Sequence, residues 1–285
     1  MVLCAAQVRL HKKFVETLPV PPRKDPAPMP EHERLLTLHQ VSKNFGGVQA
    51  VKNLSFDVNS HEIVGLIGPN GSGKSTSVNL ISGAVPPSSG DIVWLDQNVN
   101  HLPISQRVPL GLARTFQTTS LLAEFSVLNQ VLTACHTSYR VSAWRSVLRT
   151  KDAKSQDAQQ LTKAQELVEF VGLGEVMNDP TSTISSAQQR LLMIATAMAS
   201  DPKLILLDEP AAGMVAKERK ELADVILRIR ARGLAVLVIE HHMGLIMEVC
   251  DRIVVLNFGE KIAEGRPSDI QRDAAVIEAY LGGVH

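Results

Sequence analysis

The stretch GPNGSGKST, residues 68 to 76, combines residue types and a spacing that can hold a phosphate. Gly68, Gly71 and Gly73 let the chain curl until successive backbone N–H groups converge on one anion, with Pro69, Asn70 and Ser72 between them. Lys74 then supplies a point charge, Ser75 offers a hydroxyl to Mg²⁺, and Thr76 continues into a helix-like run. An ordinary glycine turn is the plain alternative, but it needs neither a strand before it nor a Lys-Ser pair after it. Further on, LILLDEP ends an apolar run on Asp208 and Glu209. A carboxylate at the end of a buried strand suits a magnesium shell, and its neighbour can polarise a water for attack on a terminal phosphate. Without the cradle upstream, the same pair would read as the start of a solvated loop.

A third stretch, ISSAQQR at residues 184 to 190, runs straight into LLMIATAMA. Ser185 suits the N-cap of a helix there, and Gln188, three positions on, completes a capping box. The same helix N-terminus could instead aim its free N–H groups at a phosphate. No N-K-x-D element reads guanine, which disfavours a GTPase of the usual sort.

These motifs need elements to position them. From Leu35, strand-like LLTLHQV and NLSFDV flank a turn at NFGG. EIVGLIG leads into the cradle and STSVNLISG leaves it as a helix. KLILLDE and LAVLVIE are continuous apolar runs, as strands buried on both faces of a parallel sheet require. Leu222, Val225, Ile226 and Ile229 share one helical face between them. The middle, from about residue 118 to 199, reads as a helical insertion with a stripe at Leu161, Ala164, Leu167, Val168 and Val171. Within it, YRVSAWRSVLRT reads as a solvated surface helix anchored by Tyr139 and Trp144. The fold class expected is therefore α/β.

Composition narrows the partners. The chain has 285 residues, 45% of them hydrophobic, enough for a large core. Its 29 basic and 29 acidic residues cancel, so no global field draws it to nucleic acid or an anionic bilayer. Cys4, Cys135 and Cys250 are too far apart, and odd in number, for a disulfide framework or a zinc site, which favours a reducing compartment. No run is long and apolar enough to span a membrane. Residues 1–33 contain PVPPRKDPAPMP and are expected to be a disordered extension, with Met29 a plausible start of translation.

The phosphate loop, RTFQ, SSAQQR, LILLDEP and VLVIEHH occur in an order and spacing that resemble the ATP-binding domain of ABC transporters, over essentially residues 35 to 285. The resemblance implies a P-loop NTPase core of the RecA-like kind with an antiparallel β portion and an inserted helical subdomain. The division implied is a core of 34–116 and 200–262, a helical subdomain of 117–199 and a tail of 263–285. ATP and Mg²⁺ follow as cofactors. Phe45 resembles the aromatic that stacks on adenine, Gln117 the glutamine that reaches metal and water, Glu209 the catalytic glutamate and His241 the switch histidine at the γ-phosphate. Ser75, Gln117 and Asp208 would surround the metal.

FGGVQAVKNLSFDV, DEPAAG, CDRIVVLNFGEKIAEG and VIEAYLG are similar to the ATP-binding subunit of importers for branched-chain amino acids, with urea and amide importers close by. The resemblance implies a peripheral subunit on the cytoplasmic face of the membrane. It would bind transmembrane permease subunits, a second ATPase subunit and, indirectly, a substrate-binding protein, and no nucleic acid. A soluble ABC-type ATPase is disfavoured by the single cassette and the balanced charge. A subunit that binds ATP without turning it over is disfavoured by Glu209 and His241.

In the head-to-tail dimer that the resemblance implies, Ser185, Ala187 and Gln188 would face the partner's nucleotide. Three residues depart from the family pattern: Ala187 for a glycine, Val215 for Asn or Asp, and His242 for Asp. Two of these fall on parts offered to the partner. A Cβ at residue 187 is expected to crowd the ligand or restrict the dihedrals, so a heterodimer with one slower site is expected.

Overall fold

The structure is a computed structural model that describes residues 33–115, 121–135 and 151–281, the side chains of 151–156 and 281 excepted. Gln117, Cys4, the N-terminal extension and the Tyr139–Trp144 stretch lie outside the described residues.

Strand β1 (Arg34–Phe45) turns at Gly46, whose φ of 56° suits glycine, and pairs back on β2 (Val48–Asn59) with Phe45 opposite Val48. After β3 (Ile63–Ile67) and α1 (Lys74–Ser82) the chain returns as β4 (Ser89–Trp94) and the short β5 (Gln97–Asn98). These complete an antiparallel sheet in the order β2-β1-β4-β5. Helix α2 (Ile104–Arg107) leads to β6 (Leu112–Arg114). The helical part follows with α3 (Val127–Cys135), α4 (Lys151–Phe170) and α5 (Ser186–Met198). Then come β7 (Leu204–Asp208), α6 (Ala216–Ala231), β8 (Ala235–Ile239), α7 (Met243–Val249) and the hairpin β9 (Arg252–Asn257) and β10 (Glu260–Gly265). Helices α8 (Pro267–Ile270) and α9 (Ala274–Leu281) close the described chain. The second sheet runs β10-β9-β3-β8-β7-β6 and is parallel except for the β9–β10 pair.

Alternation along the parallel strands divides the interior in two. Ile63 and Ile67, Ile205 and Leu207, and Val236 and Val238 face a core shared with the helices. Val64 and Leu66, Leu204 and Leu206, and Leu237 and Ile239 face the antiparallel sheet. Both faces are therefore covered, which is why these runs read as continuously apolar. The α6 face of Leu222, Val225, Ile226 and Ile229 is buried as its spacing predicts. The α4 stripe is buried from Ala164 onward, but Leu161 at its N-terminal end is 40% exposed, one turn short of the packed part.

A buried arginine anchors α1 from behind. Arg107 donates to the carbonyls of Leu80 and Ile81 in the last turn of α1 and to those of Val99 and Leu102. Its guanidinium sits where the helix dipole is negative, although burial pulls its pKa down to about 10. The end of α1 that faces the cradle is thus held by contacts made at its other end.

Candidate functional site

Parallel pairing brings three strand ends together. Leu66 of β3 and Asp208 of β7 both lie opposite Ile239 of β8, so the loops that follow all three open on one edge. Crevices beyond the carboxyl ends of parallel strands are where such sheets bind ligands.

The loop after β3 is determined by close backbone approach. A Cβ on Gly68, whose φ is 152°, would stand 2.1 Å from the Leu256 carbonyl oxygen, and one on Gly73, at φ 102°, 2.6 Å from that of Ala50. Around Gly71 the space is open. Lys74 is buried, and its ammonium donates to the Gly68 and Pro69 carbonyls at 2.8 and 2.9 Å, curling over the loop that precedes it. Burial pulls the Lys74 pKa below its ordinary value, against the opposing charge of Glu209. Gly73 caps α1 without a side chain, which leaves the first-turn N–H groups uncapped. The Ser72 hydroxyl is buried and has no hydrogen-bond partner. Uncapped donors, an orphaned hydroxyl and a cation are what a phosphate group would satisfy. The cleft beside them measures ≈ 570 Å³ and is lined by Gly47 to Ala50, Lys52, Gly71 to Thr76 and Phe258. Phe45 is exposed at the hairpin tip next to Val48, a lining residue, with the Lys43 ammonium 5.2 Å from its ring centre. Ser75 is exposed at the mouth of the helix.

Asp208 ends β7, and one of its oxygens accepts from Arg114 at 2.8 Å. Arg114 also reaches Asn79 and Ser82 on α1, so it braces the acid against the phosphate helix. Glu209 follows with a left-handed backbone, φ 47°, and its side chain is half exposed. His241 Nδ1 lies 3.8 Å from the Glu209 carboxylate. The set fits a magnesium nucleotide: a hydroxyl (Ser75) and one strand-end carboxylate (Asp208) leave the rest of the shell to phosphate and water, as Mg²⁺ prefers.

Comparisons with known proteins agree with this geometry. Residues 51–212 match the family described as ABC transporter, and residues 260–285 match one described as branched-chain amino acid ATP-binding cassette transporter. The chain belongs to the ABC transporter family. It is 38% identical over 249 residues to the high-affinity branched-chain amino acid transport ATP-binding protein LivG of Escherichia coli strain K12, covering 87% of this chain and 98% of that one. It is 34% identical to BraF of Pseudomonas aeruginosa over the same shares, and 33% identical to the lipopolysaccharide export system ATP-binding protein LptB of Escherichia coli, covering 87% and 97%. Among solved structures, an ATP-binding cassette of an ABC transporter in its ADP conformation superposes with a TM-score of 0.77 at 29% identity, covering 87% of this chain and 99% of that one. The chain is an ATP-binding and ATP-hydrolysing subunit of an ABC transporter. Among its described residues, no helix is long and apolar enough to cross a membrane.

Within this ABC cassette, the stretch that begins at Ser185 is closed on itself. The Ser185 hydroxyl accepts from the Gln188 N–H at 3.2 Å, and the Gln188 side chain accepts from the Ser185 N–H at 2.9 Å. Arg190, one turn on, donates to the Glu209 carbonyl at 3.2 Å and ties α5 to the end of β7. The strain expected at Ala187 does not arise, because the residue lies inside α5, where alanine is at ease, and is only 8% exposed. Val215 caps α6 with no oxygen to offer, leaving only the reciprocal half of a capping box, Val215 N–H to Glu218 at 2.9 Å. It is 63% exposed. His242 stands at the N-cap of α7 without capping it, its Nδ1 buried and unpartnered.

Four residues that stand at the candidate site were not singled out from the sequence. Arg114 lies in the RTFQ motif, where only the glutamine drew notice. Phe258 lines the cleft at φ 46° and is 78% exposed. Tyr280 in the tail takes a hydrogen bond from the Gly68 N–H, while burial pushes its pKa up to about 12. Glu240 precedes His241 and is buried.

Proposed function

We propose that this chain powers the import of branched-chain amino acids by hydrolysing ATP at its own phosphate loop, as a peripheral subunit on the cytoplasmic face of the membrane. The observation that carries this reading is the meeting of the cradle, Asp208–Glu209 and His241 on one sheet edge, on a chain whose tail matches the branched-chain amino acid cassette family. That tail match favours this cargo over lipopolysaccharide, to which LptB is dedicated, and over urea or amides.

ATP lies with its phosphates on the N-terminus of α1 and its base toward Phe45. Lys74 leaves the Gly68 and Pro69 carbonyls for the β- and γ-phosphates. Ser75, Asp208 and Gln117 would hold Mg²⁺, which would supply positive charge against the phosphates. Glu209 orients a water and takes its proton as the water oxygen attacks the γ-phosphorus. The bond to the β-phosphate oxygen breaks, giving ADP and phosphate, and His241 steadies the γ-phosphate oxygens.

The nucleotide is completed by a second ATPase subunit, packed head to tail, through its signature helix. This chain in turn presents Ser185, Ala187 and Gln188. The Ser185 hydroxyl accepts one bond in its capping box and keeps its own proton to donate to a phosphate. The helical setting of Ala187 removes the strain argument against this signature, so unequal sites rest on crowding of the ligand by its Cβ and on Val215. The helical part, 117–199, docks on permease subunits, which a substrate-binding protein feeds, while 34–116 with 200–262 forms the core and 263–285 the tail.

The first test is ATP turnover by the purified chain with Mg²⁺ beside Glu209→Gln. Turnover falls by about 10²–10⁴-fold in the variant while nucleotide still binds. Loss of uptake of labelled leucine, with urea uptake intact, in cells lacking the chain supports the cargo. The reverse pattern overturns it.

A further inference from the structure

Beyond the last ladder contact between β7 and β8, where the Glu209 N–H donates to the Ile239 carbonyl at 2.9 Å, the two chains are joined by a side chain. Glu240 is 0% exposed. A carboxylate taken out of water must be compensated by donors, and here three backbone N–H groups serve. One oxygen accepts from Ala211 at 2.7 Å, and the other from His241 at 3.0 Å and His242 at 3.2 Å. Ala211 opens the loop from Pro210 to the exposed Val215, and His241 and His242 open the segment after β8. The two segments come from different strands, and one carboxylate spans them.

We propose that Glu240 is a positioning residue that clamps the 210–215 loop and the His241 segment into one unit, so that neither moves without the other. The proposal rests on the reading of His241 as the γ-phosphate contact and of Val215 as partner-facing. On that reading, occupancy of this chain's nucleotide site and the fit of the partner surface are linked through Glu240. A carboxylate suits the task because both oxygens accept. A glutamine of the same shape has one acceptor and one NH₂, which in either orientation points a donor at an N–H.

The test is hydrogen exchange by mass spectrometry on the full chain and on Glu240→Ala, which removes both acceptors, followed in peptides covering 210–215 and 240–243. Both segments are expected to exchange about tenfold faster or more in the variant, with β7 and β8 unchanged. ATP turnover is expected to fall about tenfold with KM held within about twofold. Should Glu240→Ala fail to fold, Glu240→Gln keeps one acceptor, and faster exchange is then expected in at least one of the two segments. In Glu240→Ala, loosening of one segment alone, or of neither, overturns the clamp; in Glu240→Gln, loosening of neither does. Loosening of both with turnover unchanged overturns the positioning role. A parent chain without ATPase activity counts against the reading of the site, and the exchange measurement still decides the clamp.

Discussion

Two helix N-termini in this molecule are read as phosphate ligands, and they are finished in opposite ways. Helix α1 begins after Gly73 with no side-chain cap, so its donors stand open beside Lys74. Helix α5 begins after Ser185 with a complete capping box, so its own side chains already take two donors. On that reading, the first suits a ligand that this chain holds itself. The second is stable without one, as a surface must be when its ligand arrives on another molecule. A chain that has to fold before it meets a partner gains from closing the borrowed half and leaving the owned half open.

The largest effect that sharpens this contrast belongs to Lys74→Ala. It removes the cation from the open terminus, and ATP turnover is expected to fall by about 10³-fold, as measured by phosphate release. A fall of less than tenfold would mean that the α1 donors suffice and that the two termini differ less than their caps imply. A smaller effect is expected at the closed terminus. Ala187→Gly lowers helix propensity in the first turn of α5 and is expected to destabilise the chain by about 1 kcal/mol without raising turnover in the assembled transporter. A rise in turnover would restore the crowding expected from the sequence and break the picture of a finished second terminus. The smallest effect concerns the brace behind the open loop. Tyr280 titrates near 12 instead of its ordinary 10.0. Because the folded pKa is raised, the stability it lends is complete below pH 10 and is lost as pH climbs through 12, when the docked phenol must ionise. Absorbance titration of the phenolate should therefore show a late component that Tyr280→Phe removes. If the variant leaves the late component in place, Tyr280 is not the phenol that burial holds protonated.

The parts of the site legible in the sequence are those whose geometry is local. The cradle from Gly68 to Thr76, the Ser185–Gln188 box and the apolar runs ending in Asp208 and Ile239 each lie within a few residues of backbone, where spacing fixes shape. What escaped was decided by topology. Arg114 and Asp208 are 94 positions apart, and only the β6–β7 pairing brings them together. Glu240 resembles any acid at a strand end until the packing of two loops over it shows that its partners are backbone amides. Leu161 fits the α4 stripe by period, but period alone does not say where the neighbouring helix stops.

Glu209 holds a backbone conformation that side chains other than glycine adopt rarely, at φ 47°, and such a residue carries a penalty of roughly 1–2 kcal/mol. Glycine would relieve it. A population of variants screened only for survival on heating should thus discard this carboxylate early, growing hardier as it goes silent. The residue proposed to make the chain an engine is also one of its weak points as a solid.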